Sequence, residues 1–130
     1  MKILALDYGA ARTGVAASDA TGTIAIPLEV VARASGSEGL ARIRELVDEH
    51  GIERVVVGLP LTLRGEHGEQ AQRTEEFAGA LRGVFDVPVE MYDERFTTAL
   101  AARGGGAPED ARAAAHLLES YLAWASTSRT

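Results

Sequence analysis

The period of the apolar positions changes several times along this chain, and each change marks a predicted element. Ile3, Leu4, Ala5 and Leu6 form an apolar run too short for a helix and followed by turn residues, which predicts a buried strand ending at Asp7. Gly9 and Gly14 are read as the brackets of a turn. Val15 to Ser18 and Ile24 to Val31 then read as two further strands, with Asp19, Ala20, Thr21 and Gly22 between them. Three strands joined by short connections predict an antiparallel meander. Pro27 lies inside the third and favours an edge position there, because proline cannot donate to a ladder.

The period then shifts to that of a helix. Leu40, Ile43, Leu46 and Val47 recur at helical spacing with charges between them, predicting a helix from about Glu38 to His50 with Ser37 as its N-cap. Arg54 to Gly58 is a short apolar strand, and Gly58 to Gly68 a loop after it. Ala71, Thr74, Phe77, Ala78 and Leu81 share one side of a second helix, from Glu69 to about Gly83. Pro88 to Asp93 reads as a fifth strand. Thr97 and Thr98 predict the cap of a short helix through Arg103, broken by Gly104 to Gly106, and Pro108 suits the first turn of a last helix from Glu109 to about Trp124. The resulting order is β-β-β-α-β-α-β-α-α. It predicts a five-stranded mixed α/β sheet, three antiparallel strands followed by two parallel ones, with helices on its faces and residues 1–130 as a single domain.

Composition narrows the chemistry. The absence of cysteine excludes disulfides, thiolate metal sites and cysteine nucleophiles. No apolar run is long enough for a membrane-spanning helix, and the N-terminus has no signal-peptide pattern, so a cytoplasmic protein is expected. A net charge of −6 argues against a general nucleic-acid binder with a broad basic face. It agrees equally with an enzyme whose acid cluster is neutralised by bound cations. The basic residues are arginines apart from Lys2, and arginine suits bidentate contact with phosphate.

The acids fall at informative places. The first strand ends in Asp7, and the fifth ends in Asp93 followed by Glu94. Right-handed crossovers make the first, fourth and fifth strands parallel, so these acids reach one edge of the sheet, where ligands bind in α/β folds. Adjacent strand residues point to opposite faces, so only one of Asp93 and Glu94 joins Asp7, and alternation alone does not choose between them. Asp110 stands in the first turn of the last helix, on the side of Ala114, Leu117 and Tyr121 that should pack on the sheet. Glu119 is out of phase with that side and reads as a solvated acid. Taken singly, Asp110 could merely start a helix and Asp93 merely cap one. Together, two or three carboxylates at one sheet edge call for hard divalent cations such as Mg²⁺ or Mn²⁺, and a two-metal site serves phosphodiester displacement.

Asp7-Tyr-Gly-Ala-Ala-Arg-Thr-Gly-Val-Ala16 resembles the opening motif of the YqgF family, also called RuvX, of Holliday junction resolvases and pre-16S rRNA nucleases. Val57-Gly-Leu-Pro-Leu61 with Gly65, Asp93-Glu-Arg-Phe-Thr-Thr98, and Asp110 with Ala113, Ala114 and Leu117 to Leu122 are similar to the later family motifs, in order. The resemblance spans nearly the whole chain. It implies a ribonuclease H-like fold related to the RuvC resolvases, and a metal-dependent nuclease acting on 16S ribosomal RNA precursor or on branched DNA. By the same resemblance Asp7, Glu94 and Asp110 are the ligands of two Mg²⁺ or Mn²⁺ ions, with Asp93 kept as the alternative to Glu94. Arg12 and Arg95 contact phosphate or orient a carboxylate, and Gly9 supports the turn beside Asp7. The expected partner is nucleic acid, not a membrane, with the protein a monomer or homodimer. One departure stands out: family members carry a longer, lysine-bearing segment before the third acid, where residues 99–109 here offer only Arg103. Two other readings compete. An ATP-binding phosphotransferase also opens with an Asp-x-Gly turn, and a non-catalytic RNA- or ribosome-associated module could retain the same fold.

Overall fold

The computed structural model describes residues 1–60, 68–93 and 108–128. Its elements are β1 (Ile3–Asp7), β2 (Arg12–Ser18), β3 (Ala25–Ala32), α1 (Ser37–His50), β4 (Arg54–Leu59), α2 (Glu69–Arg82), β5 (Val89–Asp93) and α3 (Glu109–Ser128). The five strands form one sheet in the order β3-β2-β1-β4-β5. β1 pairs antiparallel with β2, and β2 with β3, while β1–β4 and β4–β5 are parallel. The predicted mixed sheet, with three antiparallel strands leading into two parallel ones, is thus the observed one.

Each strand sits where its composition allows. β1 and β4 are central, and Leu4, Ala5, Leu6, Val55, Val56 and Val57 are fully buried, as strands covered on both faces require. β3 is an edge strand, which accommodates Pro27. Its ladder with β2 slips at one point: Val15 pairs with Glu29 and Ala16 with Pro27, leaving Leu28 as the extra residue of a bulge.

The two faces carry different helices. Leu4, Leu6, Val15, Val55, Val57 and Val89 pack with Ile43, Leu46 and Val47 of α1 and with Phe77, Ala78 and Leu81 of α2. Ile3, Ala5, Ala16, Ala25, Val56 and Tyr92 pack with Ala114, Ala115, Leu117, Leu118 and Tyr121 of α3. Alternation therefore puts Asp7, which follows Ile3 and Ala5 at even spacing, on the α3 face.

Several local expectations change. Gly14 does not bracket the first turn but lies inside β2, paired with Asp7, because the strand begins at Arg12. The N-cap of α1 is Gly36, whose extended backbone precedes the helix, and Ser37 opens the first turn. α3 runs four residues beyond Trp124. Glu119 is half-buried rather than solvated, because the buried arc of α3 reaches round to Ala115, one turn before it. The predicted short helix through Arg103 lies outside the described residues.

Candidate active site

The site is built on the first turn of the chain. β1 delivers Asp7 to the C-terminal edge, and Tyr8 to Ala11 turn the backbone into β2. Thr13 clamps this turn: its buried hydroxyl donates to the Gly9 carbonyl at 3.3 Å and lies 3.4 Å from the Gly9 N–H. A side chain at Gly9 would place its Cβ 2.5 Å from the Arg12 carbonyl oxygen, so the tightness of the turn requires glycine here. Tyr8 leans away from the acid and stacks on Phe77 of α2, with ring centroids 4.4 Å apart.

The decisive contact is at Gly14. Its Cα faces the first turn of α3 so closely that a Cβ would fall within the carbonyl group of Asp110. Gly14 is also the ladder partner of Asp7. One glycine thus separates the strand that carries Asp7 from the helix turn that carries Asp110, and both acids belong to the α3 face. Glycine within an apolar strand pattern signals such a close backbone approach, which is the signal the turn reading of Gly14 passed over.

Arg12 completes the cluster. Its Nε lies 3.2 Å from Asp110 Oδ2, with side chains 72% and 37% exposed respectively. The arginine is therefore largely in solvent, and the pair is a screened surface ion pair of small net worth.

The fifth strand shows which face of the sheet Asp93 shares. Glu90 reaches Tyr121 of α3, and Tyr92 bonds Ser120 of α3 at 2.8 Å, so these even positions lie on the α3 face. Met91 packs on the opposite cluster with α1 and α2. Asp93, paired with Leu59 at the strand end, shares the side of Met91 and not that of Asp7. Glu94 and Arg95 lie outside the described residues. Among the described residues no group of three His, Asp or Glu side chains comes together as a metal site.

Among the described residues the donors that Gly14 brings near one another, on Asp7 and Asp110, are carboxylate oxygens. Such a set suits a hard divalent cation, and the glycine contact gives it a fixed backbone frame.

An α/β sheet in the order 3-2-1-4-5, with helices on both faces, defines the class: a ribonuclease H-like fold. Solved structures bear out the fold. Thermus thermophilus RuvC in complex with a Holliday junction substrate superimposes with a TM-score of 0.68 at 19% identity, over 98% of this chain and 96% of that one. Within the class, the family model RuvX, described as Holliday junction resolvase, matches residues 1–124, and the chain belongs to that family. Relatives include the "Putative pre-16S rRNA nuclease" of Chloroflexus aggregans, 50% identical over 99 residues that span 76% of this chain and 70% of that protein. The protein of the same name from Desulforudis audaxviator is 42% identical over 132 residues, 94% of each chain. Membership in this family decides against the ATP-binding phosphotransferase reading.

Proposed function

We propose that this protein is a divalent-metal-dependent nuclease that hydrolyses phosphodiester bonds in 16S rRNA precursor or in branched DNA, working as one domain in the cytoplasm. The observation that carries the reading is the docking of α3 on Gly14, which brings Asp110 beside the strand of Asp7 on one face of the sheet. The names of the relatives support the RNA precursor, and the description of the family model supports the Holliday junction.

In this reading Asp7, Glu94 and Asp110 hold Mg²⁺ or Mn²⁺, two ions at full occupancy. Bound there, divalent ions supply an activated water and neutralise the charge that develops on the attacking and leaving oxygens. The chain supplies the rest. Asp7 ends a strand paired on both sides and is itself paired with Gly14 of β2. Asp110 stands in the first turn of α3, which seats it against Gly14 of β2. The reading takes Glu94 as the second ligand, and the place of Asp93 on the side of the sheet opposite Asp7 supports that choice. Arg12 and Arg95 meet substrate phosphates through guanidinium contacts.

A panel of labelled substrates tests this reading: single-stranded RNA, a 16S precursor fragment, single-stranded DNA and a four-way junction, each with Mg²⁺, Mn²⁺ or chelator. Cleavage of at least one substrate, lost with chelator, is expected. No cleavage of any, with binding of RNA retained, would instead establish the non-catalytic module.

A further inference from the structure

Arg12 occupies a carboxylate that the proposed metal site needs. Its Nε lies 3.2 Å from Asp110 Oδ2. A guanidinium and a divalent ion on the same carboxylate repel one another, so full engagement of the metal with Asp110 opposes this ion pair. The pair is built to be given up. The backbone of Arg12 is fixed at the start of β2, opposite Ala32, while its side chain is 72% exposed and can swing into solvent at small cost. The backbone of Asp110 stays put, because it is seated on Gly14.

We propose that Arg12 is a resident counterion of the metal-free site, competing with the divalent ion for Asp110 and leaving it when the ion binds. The inference rests on the metal-site reading given above. Arg12 is a positioning residue in this role: it holds Asp110 in a charge-compensated state and weakens the first metal-binding step. Reciprocity gives a second consequence. A phosphate that draws Arg12 off Asp110 removes the competitor, so an anionic substrate raises metal affinity by the same factor as metal raises substrate affinity.

Mn²⁺ titration by calorimetry, in the absence of substrate, tests the exchange. The proteins compared are the wild type, Arg12→Ala, Arg12→Lys, Asp110→Asn, and the Arg12→Ala/Asp110→Asn double variant. Arg12→Ala should bind Mn²⁺ more tightly, by up to about five-fold, the equivalent of ~1 kcal/mol for one exposed ion pair. Arg12→Lys, which keeps the charge, should stay near wild type. In the Asp110→Asn background the gain from Arg12→Ala should vanish. A damaged fold would weaken metal binding, so tightening separates counterion release from a merely structural role. Unchanged or weaker binding in Arg12→Ala, with the wild type binding normally, would overturn the exchange and leave the metal site standing. Failure of the wild type to bind Mn²⁺ at all would overturn the metal reading and the exchange with it.

Discussion

The two faces of the sheet are packed by different means. Under α1 and α2 the sheet presents Leu4, Leu6, Val15, Val55 and Val57, and the helices answer with Ile43, Leu46, Phe77 and Leu81. Under α3 the sheet presents Ala5, Ala16 and Ala25 among its buried residues, and the first two turns of the helix answer with Ala111, Ala114 and Ala115. Large side chains hold a helix away from its support, while small ones let it approach. The first face therefore supplies volume and most of the apolar burial. The second trades volume for closeness, and that closeness seats the Asp110 turn on Gly14. Beyond these turns α3 regains bulk, first with Leu117 and Leu118 and then where Tyr121, Tyr92 and Trp124 pack edge to face and tilted, with centroids 5.5 to 5.9 Å apart. Stability and site geometry are thus assigned to opposite faces of one sheet.

Gly14→Ala should give the largest effect, because it strikes the point where closeness matters most. The new methyl has no room against the Asp110 backbone, so α3 must lift at its start. A loss of about 3–5 kcal/mol in chemical denaturation is expected, the upper range for an overpacked site. Mn²⁺ affinity should fall with it. A variant of wild-type stability and affinity would show that the two backbones are not in contact.

Leu46→Ala probes the other face. Leu46 is 1% exposed within the α1–α2 core, so the cavity should cost about 2–4 kcal/mol. Under native conditions the folded variant should bind Mn²⁺ and cleave as the wild type does. A loss of metal affinity in proportion to stability would mean that the faces are coupled and the division of labour is wrong.

The smallest effect belongs to the β2–β3 turn, at the opposite end of the sheet from the acids. Asp19 accepts bonds from the Ile24 and Thr23 N–H groups at 3.0 and 2.9 Å and from the Thr21 hydroxyl at 2.7 Å. These hold its pKa at about 2, below its ordinary value of 3.8. A depressed folded pKa contributes stability that is present above the unfolded value and lost as pH falls through the folded one. The melting temperature of the wild type should therefore exceed that of Asp19→Ala at neutral pH, and the gap should narrow between about pH 4 and pH 2. A gap that stays constant down to pH 2 would remove the charge from the explanation.

Much of this arrangement is legible in the residues themselves. The apolar run of β1, the Pro27 edge strand and the helical spacing of Leu40, Ile43 and Leu46 locate elements correctly because burial dictates each pattern. Gly14 is misread for a physical reason. Glycine marks both turns and close approaches, and only the partner element, nearly a hundred residues away, tells which. Thr13 escapes notice because its buried hydroxyl is satisfied by the turn it closes, which no periodicity reveals. Ser37 looks like a better cap than Gly36 by side-chain chemistry, yet the extended backbone that a cap requires falls at Gly36. Which face Asp93 shares depends on which helix covers which side of the sheet. Once α3 is seen on the side of Glu90 and Tyr92, Asp93 is assigned to the other.

On the proposed reading, Asp7 anchors a metal-dependent hydrolytic site. Its most direct test is cleavage by Asp7→Asn under saturating Mn²⁺, measured beside the melting temperature of the metal-free protein. Cleavage should be abolished, while the melting temperature stays level or rises, because one of two neighbouring like charges has been removed. Wild-type cleavage by Asp7→Asn would contradict the account.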